Sequence, residues 1–150
     1  MSKLAPCAVL LAAAACTALH AAEPACDRAC LVGIADDYLA AIAAHDPGKA
    51  PLSDRIAFVE NVKRMRPGEG LWADAAGAAT KFRLYVPDPV AGTVGLMTVI
   101  DRRRAGGTVP AQLAARLSIV GGKIVEAEHL VADVTSPEAV ARLQAPRPNL

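Results

Sequence analysis

The chain has 150 residues, which is enough for one domain with a single hydrophobic core. Its formal net charge is +1, and residues 1–22 contain one of the 16 basic residues, Lys3, and none of the 15 acidic residues. Without that segment the chain is formally neutral, so it has no general electrostatic attraction to nucleic acid or anionic lipid. We therefore expect no nucleic-acid partner, and no membrane partner once residues 1–22 are removed.

Residues 1–22 have the pattern of a secretory signal peptide. Lys3 precedes the apolar run Leu4–Leu19, and the small residues Ala21 and Ala22 follow, so we expect cleavage after one of these alanines. The run is too short and too rich in alanine for a good membrane span. The prediction is a secreted or periplasmic protein. The alternative is a lipoprotein attached through Cys16, although three alanines stand where a large apolar residue is usual.

Two cysteines, Cys26 and Cys30, remain after the signal peptide, four positions apart. An exported chain enters an oxidising compartment, where a local disulfide at the start of a helix is the main interpretation. Two free thiols or an intermolecular bridge are the alternatives. The spacing is not the CxxC of redox motifs and zinc knuckles.

One amphipathic helix is predicted between Cys26 and Pro47. Asp27 is a suitable N-cap, and the helix should end near His45 because Pro47 disfavours helical geometry at the residue before it. The apolar positions share one stripe at helical spacing: Leu31, Ile34, Ala35, Tyr38, Leu39 and Ile42. Tyr38 is the one member with a polar tip, and it either packs in the core or lines a pocket.

The rest of the chain reads as strands and turns. Gly121-Gly122, between two β-rich runs, is a strong signal for a two-residue hairpin turn. Ser136 is a candidate cap for a terminal helical turn, and residues 145–150 form a proline-rich, loose tail. The predicted strands are Arg55–Val62, an irregular second strand within Val62–Trp72, Lys81–Val86, Thr93–Asp101, Val109–Val120 and Lys123–Asp133.

A long helix followed by a meander of strands predicts an α+β domain, with the helix packed on a curved antiparallel sheet. The concave side of such a sheet leaves a natural pocket beneath the helix. We place this single domain at residues 23–144.

Several short motifs resemble the nuclear transport factor 2-like superfamily, also called SnoaL-like or ketosteroid-isomerase-like, and within it a group of exported proteins. The resemblance covers nearly all of the chain after the signal peptide. Its motifs are CDRACL (26–31), Tyr38-Leu39, His45-Asp46-Pro47, Glu60-Asn61, GEGLW (68–72), FRLY (82–85) and KIVE (123–126).

The resemblance implies a cone-like antiparallel sheet wrapped around the N-terminal helix. The superfamily includes isomerases, cyclases, dehydratases and hydrolases, as well as members that only bind or dimerise, so the fold does not decide the function. Ketosteroid isomerases use an acid as proton shuttle and a tyrosine with a second acid as oxyanion donors. No motif here matches those roles residue by residue, and Tyr38 and Glu60 are comparable by analogy only.

Glu60 is the main candidate for chemistry. It shares a strand face with Ile56 and Phe58, so a concave position would surround its carboxylate with apolar side chains, raise its pKa and suit it to proton transfer. The alternative places Glu60 at a wet rim, or in an ion pair with Arg83 or Arg116.

Tyr38 and His45 are candidate assistants. His45 at the helix end is explained structurally by the helix dipole, or alternatively it lies at the pocket mouth, oriented by Asp46. The residues predicted to line a ligand pocket are Phe58, Asn61, Trp72, Arg83 and Tyr85.

No metal or cofactor is predicted. His129 should point away from Glu126 and Glu128 on its strand, and no HxH or HExxH spacing occurs. Arg102-Arg103-Arg104 is interpreted as a solvated hairpin tip, and Gly68-Glu69-Gly70 as turn chemistry without a phosphate-loop lysine.

Two functional hypotheses follow. The first is an exported pocket protein that binds a small, largely apolar molecule and catalyses a proton transfer through Glu60. The second is a non-catalytic module that binds a ligand or forms a homodimer through the outer sheet face. Val94, Leu96, Leu113 and Leu117 are the candidates for apolar surface on that face.

Overall fold

The computed structural model describes residues 26–80 and 82–144. The predicted signal peptide, its cleavage position, the lipoprotein alternative at Cys16 and the tail at 145–150 lie outside the described residues. Three helices and six strands are found within them, together with one 3-10 turn at Pro47–Lys49. The helices are α1 (Arg28–Ala43), α2 (Leu71–Asp74) and α3 (Pro137–Gln144). The strands are β1 (Leu52–Glu60), β2 (Lys63–Met65), β3 (Arg83–Asp88), β4 (Thr93–Arg104), β5 (Gly107–Val120) and β6 (Lys123–Asp133).

The six strands form one mixed sheet in the order β2-β1-β6-β5-β4-β3. Strands β3 to β6 are consecutive antiparallel neighbours, as expected for a meander. Strand β1, however, pairs in parallel with β6, so the prediction of an all-antiparallel sheet is wrong. A parallel pair needs a long crossover, and here the chain between β1 and β6 supplies it. The α+β class is confirmed.

Helix α1 begins where the sequence predicts. The side chain of Asp27 accepts a hydrogen bond from the Cys30 amide, and the helix ends at Ala43, with His45 beyond it at a positive φ of 55°. Five of the six stripe residues are buried, and Ile34 is half-buried. The buried face packs against β3, β4 and α2. A disulfide joins Cys26 to Cys30, which confirms the local bridge and makes the two free thiols and the intermolecular bridge wrong.

The hairpin and cap signals in the C-terminal half are also confirmed. Gly121 and Gly122 connect β5 to β6 with φ angles of 55° and 71°, a left-handed geometry that glycine adopts without steric cost. The hydroxyl of Ser136 accepts a hydrogen bond from the Ala139 amide at the start of α3. These local signals mark the turn between β5 and β6 and the start of α3.

The four apolar strand residues predicted to supply surface on the exposed face of the sheet lie on its buried face. Val94, Leu96, Leu113 and Leu117 belong to the buried core, so their assignment to an exposed face is wrong. Strand alternation places their neighbours on the outside instead. The outward apolar side chains that are exposed are Leu84, Val86, Met97 and Leu130.

The triple arginine is not a hairpin tip. Arg102 lies within β4 and is 7% exposed, and the turn is formed by the residues between Arg104 and Gly107. The prediction of three solvated arginines is therefore wrong for Arg102, whose position on the inward face of the strand buries it. Within residues 26–80 and 82–144, none of the helices has the length and apolar character to span a membrane.

We predict that Asp27→Ala lowers the free energy of unfolding by about 1 kcal/mol, because it removes the acceptor for a first-turn amide of α1. Asp37→Ala, at an exposed site in the middle of the same helix, is the matched control and should cost less. Urea denaturation of both variants measures the difference. An equal loss in both would show that the cap does not stabilise α1.

Candidate functional site

The parallel pairing of β1 with β6 brings the principal candidate residue to an unpredicted partner. In the register of this pair, Glu60 stands opposite His129, and both side chains are buried. Glu60 Oε2 lies 3.4 Å from His129 Nδ1. The backbone continues the contact, since the Asn61 amide donates to the His129 carbonyl at 2.9 Å.

Helix α1 adds the third member of the cluster. Tyr38 Oη lies 2.9 Å from Nε2 of His129, and both residues are 1% exposed. An ionised Glu60 can only accept, so the proton on the imidazole lies on Nδ1 and is donated to Glu60. Nε2 is then the acceptor for the Tyr38 hydroxyl. These three residues, called the Tyr38–His129–Glu60 chain below, form hydrogen bonds that all run in one direction.

Helix α2 covers the carboxylate from the other side. The Leu71 amide donates to both oxygens of Glu60, at 3.2 and 3.0 Å. Gly70 makes this approach possible: its φ is +63°, and a Cβ at this position would lie 2.6 Å from Glu60 Oε1. The glycine of the GEGLW motif is therefore required by close contact with the carboxylate.

A network of ion pairs surrounds the same end of β4. Arg102 lies 4.0 Å from Glu60 and binds Asp74 at 2.8 Å and Asp133 at 3.2 Å. Arg104 pairs with the same two aspartates. The network joins α2 to β4 and β6, and it places a positive charge beside Glu60. The expected partners of Glu60, Arg83 and Arg116, do not contact it: they pair with Asp36 and with Glu126 and Glu128.

The charge state of Glu60 is the opposite of the sequence expectation. Burial favours a higher pKa, but hydrogen bonds from His129 and the Leu71 amide, together with the charge of Arg102, outweigh it and lower the pKa of Glu60 below its usual range. The prediction of a raised pKa is therefore wrong. Glu60 is an ionised anchor at neutral pH.

His129 and Tyr38, the other two members of the Tyr38–His129–Glu60 chain, are held in their neutral forms. Burial lowers the pKa of His129, and the neighbouring Glu60 compensates only in part. Burial also raises the pKa of Tyr38, while the Trp72 indole N–H has a smaller opposing effect and the Glu60 charge adds to the rise. The resting arrangement is a carboxylate, a neutral imidazole and a protonated phenol.

Aromatic rings enclose the Tyr38–His129–Glu60 chain. Phe58 meets the His129 ring edge-on at a centroid distance of 4.9 Å, and Trp72 meets Tyr38 edge-on at 5.2 Å. Both residues are 1% exposed. Two residues predicted to line a pocket, Phe58 and Trp72, thus lie at the site, and their side chains fill the space between α1, α2 and the sheet.

Three other predicted site residues lie elsewhere. The Asn61 side chain exchanges hydrogen bonds with the Val131 backbone at 3.0 and 2.9 Å, extending the β1–β6 ladder. Arg83 and Tyr85 both donate to Asp36 on α1, near the surface. The two contacts with Asp36 connect α1 to β3 near the surface of the fold.

His45 also stands apart from the chain. It is exposed, and its Nδ1 donates to the Trp72 carbonyl at 2.6 Å, with Arg103 3.4 Å from Nε2. It therefore supports α2 from outside. Sequence reasoning missed His129 and Arg102 as site residues, although alternation along β6 already turned His129 away from Glu126 and Glu128.

Surface hollows occur away from this cluster. One is lined by residues at the β1–β6 end, including Leu52, Asp54 and Lys123, and another by Met97, Gln112 and Leu130 on the outer sheet face. Among residues 26–80 and 82–144, no three His, Cys, Asp or Glu side chains are grouped as a metal site would need.

The helices and the mixed sheet, with polar side chains gathered between them, have the fold of nuclear transport factor 2-like proteins. Three similar solved structures support this fold. AusH from Aspergillus nidulans has 14% identity and a TM-score of 0.58 over 73% of this chain and 88% of its own. BvnE pinacolase from Penicillium brevicompactum has 13% identity and a TM-score of 0.57, over 80% and 94%. An NTF2-like protein from Anabaena variabilis has 10% identity and a TM-score of 0.53, over 71% and 90%.

The chain belongs to the family described as "Domain of unknown function (DUF8021)", whose model matches residues 25–131. No curated protein matches the chain. At these low identities the solved structures establish the fold alone.

We predict that the free energy of unfolding falls as the pH is lowered from 7 towards 5. The unfolded chain takes up a proton at the usual histidine pKa near 6.5, whereas the pKa of folded His129 is lower, so the unfolded state binds more protons in this range. His129→Gln should flatten this decline, and His45→Gln should preserve it. Denaturant titrations at several pH values measure the free energy of unfolding as a function of pH. An equal decline between pH 7 and 5 in wild type and in His129→Gln would contradict the prediction. Glu60, Asp74 and Asp133, whose pKa values are lowered, add their losses at more acidic pH.

Proposed function

We propose that this protein binds a small, largely apolar molecule between α1, α2 and the sheet, and that the Tyr38–His129–Glu60 chain transfers a proton to or from it. The observation that carries the proposal is the Tyr38–His129–Glu60 chain. In it, a buried neutral histidine is hydrogen-bonded on one side to an ionised carboxylate and on the other side to a phenol. Ligand binding requires displacement of side chains that fill this space.

The hydrogen-bond directions define the chemistry. Tyr38 is the first donor in the Tyr38–His129–Glu60 chain, so its oxygen would contact the bound molecule. That oxygen would take a proton from the molecule while the hydroxyl proton of Tyr38 passes to Nε2 of His129. The resulting imidazolium is stabilised by Glu60, which remains ionised. The reverse sequence returns a proton to the molecule, and the net result is an isomerisation or a related rearrangement. His45 lies outside this chain and takes no part in the proposed transfer.

The named relatives are consistent with such a use of the fold. One similar structure is called a pinacolase and another a putative isomerase from Bacillus subtilis. The Cys26–Cys30 disulfide is compatible with an oxidising compartment, which supports the proposed export of the chain to the periplasm or the medium.

Native mass spectrometry of the mature protein, purified from the exported fraction of its own host, tests the binding step. The expected result is a small molecule retained by the folded chain and released on unfolding. Its identity then defines the substrate for turnover assays. A ligand-free monomer from that source, with no gain in thermal stability from any host extract, would contradict the proposal.

We predict that Tyr38→Phe lowers the turnover of the captured molecule about 100-fold or more, because the ring is kept and only the proton-carrying oxygen is lost. Tyr85→Phe removes the other tyrosine hydroxyl of the chain, which bonds to Asp36 and not to His129, and should retain most activity. Deuterium incorporation from D2O into the molecule measures the transfer. The rate in wild type should also fall on acidification as His129 becomes protonated. Equal rates in the two phenylalanine variants would rule out Tyr38 as the transferring group.

A second candidate function is a non-catalytic module that forms a homodimer. One observation favours it: the strand register aligns Leu84, Met97, Ala114 and Leu130 in a single outward row across four strands. Leu84, Met97 and Leu130 are 47%, 41% and 64% exposed. An apolar row of this kind is suited to contact with the same row of a second copy.

We predict that, if this row is a dimer interface, Leu130→Lys shifts the protein from dimer to monomer, because it places a charge in the apolar contact. Val90→Lys, at a 99% exposed turn position, is the matched control and should leave the mass unchanged. Sedimentation equilibrium measures both. A monomeric wild type over the micromolar range would contradict the dimer.

A further inference from the structure

The two-residue turn between β1 and β2 contains a strained valine. Glu60 and Lys63 pair across this turn, so Asn61 and Val62 are its central residues. Both have positive φ angles, 48° and 60°, as in a type I′ turn, where asparagine followed by glycine is the usual pair. A β-branched residue in this geometry is a genuine outlier. Val62 is also 95% exposed, so packing within the fold does not explain why a valine stands here.

Three exposed basic side chains follow the turn. No ion pair involves Lys63, Arg64 or Arg66 within residues 26–80 and 82–144, whereas carboxylates compensate several arginines of β3, β4 and β5. The single acidic residue between positions 61 and 70 is Glu69, which accepts a hydrogen bond from the Arg66 amide. The hairpin therefore has a local excess of positive charge. The near-zero net charge of the whole chain, from which no membrane partner is expected, averages over this distribution.

Asn61 fixes the turn against β6. Its side chain exchanges hydrogen bonds with the Val131 backbone at 3.0 and 2.9 Å, and its amide donates to the His129 carbonyl. Val62 is thus presented on a supported turn. A preorganised contact of this kind loses little conformational entropy on binding.

We propose that the β1–β2 hairpin, residues 61–66, docks on an anionic lipid bilayer. Val62 enters the boundary between headgroups and acyl chains, and the three basic side chains contact lipid phosphates. The valine is retained despite its strained backbone because glycine at the tip would offer no apolar side chain to the bilayer. The inference does not depend on the proposed ligand site.

The composition of the hairpin favours a bilayer over other anionic partners. Proteins that bind single-stranded nucleic acid present aromatic side chains on which bases stack, and residues 61–66 contain none. A stable protein partner needs a broad complementary surface, and β2 has only three residues. A bilayer requires a small apolar insertion and cations with long stems that reach the headgroups. Each basic residue near an anionic surface strengthens binding about 5-fold, so the expected attachment is weak and reversible.

Co-sedimentation of the full mature chain with lipid vesicles tests the proposal. We expect binding to vesicles of phosphatidylglycerol and phosphatidylcholine in equal parts at about 0.05 M salt. Binding should be lost at about 0.5 M salt, and it should be absent with phosphatidylcholine alone.

Two variants and their controls locate the contact. Val62→Gly should weaken binding to the mixed vesicles about 3- to 10-fold, because the apolar side chain is lost. It should also raise the midpoint of thermal unfolding, because glycine adopts a positive φ without strain. Val90→Gly, at a 99% exposed position between β3 and β4, should leave binding unchanged. Arg64→Gln should weaken binding about 5-fold, and Lys123→Gln, at the exposed start of β6, should not.

A fluorescent label reports insertion directly. The native cysteines of the described residues are joined in the Cys26–Cys30 disulfide, so a thiol introduced by Val62→Cys can be labelled with an environment-sensitive nitrobenzoxadiazole dye. The emission should shift to the blue when mixed vesicles are added. The same label on Val90→Cys should show no shift.

The results separate a bilayer from other anions. Salt-sensitive binding that requires phosphatidylglycerol and weakens in Val62→Gly, with a blue shift at position 62, supports the inference. Equal binding of wild type and Val62→Gly overturns it, as does failure to sediment with the mixed vesicles. Binding to soluble polyphosphate as strong as to the vesicles, with no change in emission, also overturns it, because only the charges would then be recognised.

Discussion

The structure depends on satisfying one buried charge. Glu60 is 6% exposed and ionised, and an isolated carboxylate in such a place would be strongly unfavourable. The fold surrounds it with the amide of Leu71, the imidazole of His129 and the guanidinium of Arg102. Each of these groups comes from a different element, so the position of α2, the register of β6 and the inward end of β4 are all tied to this one carboxylate.

The same requirement explains features that look unrelated in the sequence. Gly70 is needed because any side chain there would meet the carboxylate. Asp74 and Asp133 compensate the charge of Arg102, and Arg104 completes the network near the surface. A structural requirement and a candidate chemical role therefore coincide. The groups that stabilise Glu60 keep it ionised, and the ionised Glu60 fixes the proton of His129 on Nδ1, which makes Nε2 the acceptor for Tyr38.

Much of the fold could be predicted because its signals are local. The stripe that ends at Ile42, the cap at Asp27 and the turn at Gly121-Gly122 each act through neighbouring residues, and the structure has them where the sequence indicates. The partner of β1 could not be found in this way, since pairing across the crossover leaves no local pattern. The location of His129 beside Glu60, and the direction of the pKa shift of Glu60, depend on that pairing.

The errors at the arginines and on the sheet faces have a similar cause. Alternation along β4 correctly separates Leu96 from Met97, but it does not say which face α1 covers. Arg102 was assigned to a turn because three consecutive charges resemble a solvated tip, and only the extension of β4 to Arg104 places it inside. Part of the candidate site could therefore be predicted from the sequence. Four of its residues, Tyr38, Glu60, Phe58 and Trp72, could be identified as site candidates, but their convergence on His129 could not be predicted.

The parallel contact between β1 and β6 has a consequence for the order of folding. Strands β3 to β6 are joined by short connections and can pair through local hairpins. Strand β1 pairs locally with β2, but its pairing with β6 has to span most of the described chain. Non-local pairings of this kind are slow because loop closure must precede any favourable contact. Glu60 remains hydrated until that closure, and its desolvation and its pairing with His129 then occur together. We therefore expect the candidate site to be assembled late in folding, when β1 joins β6.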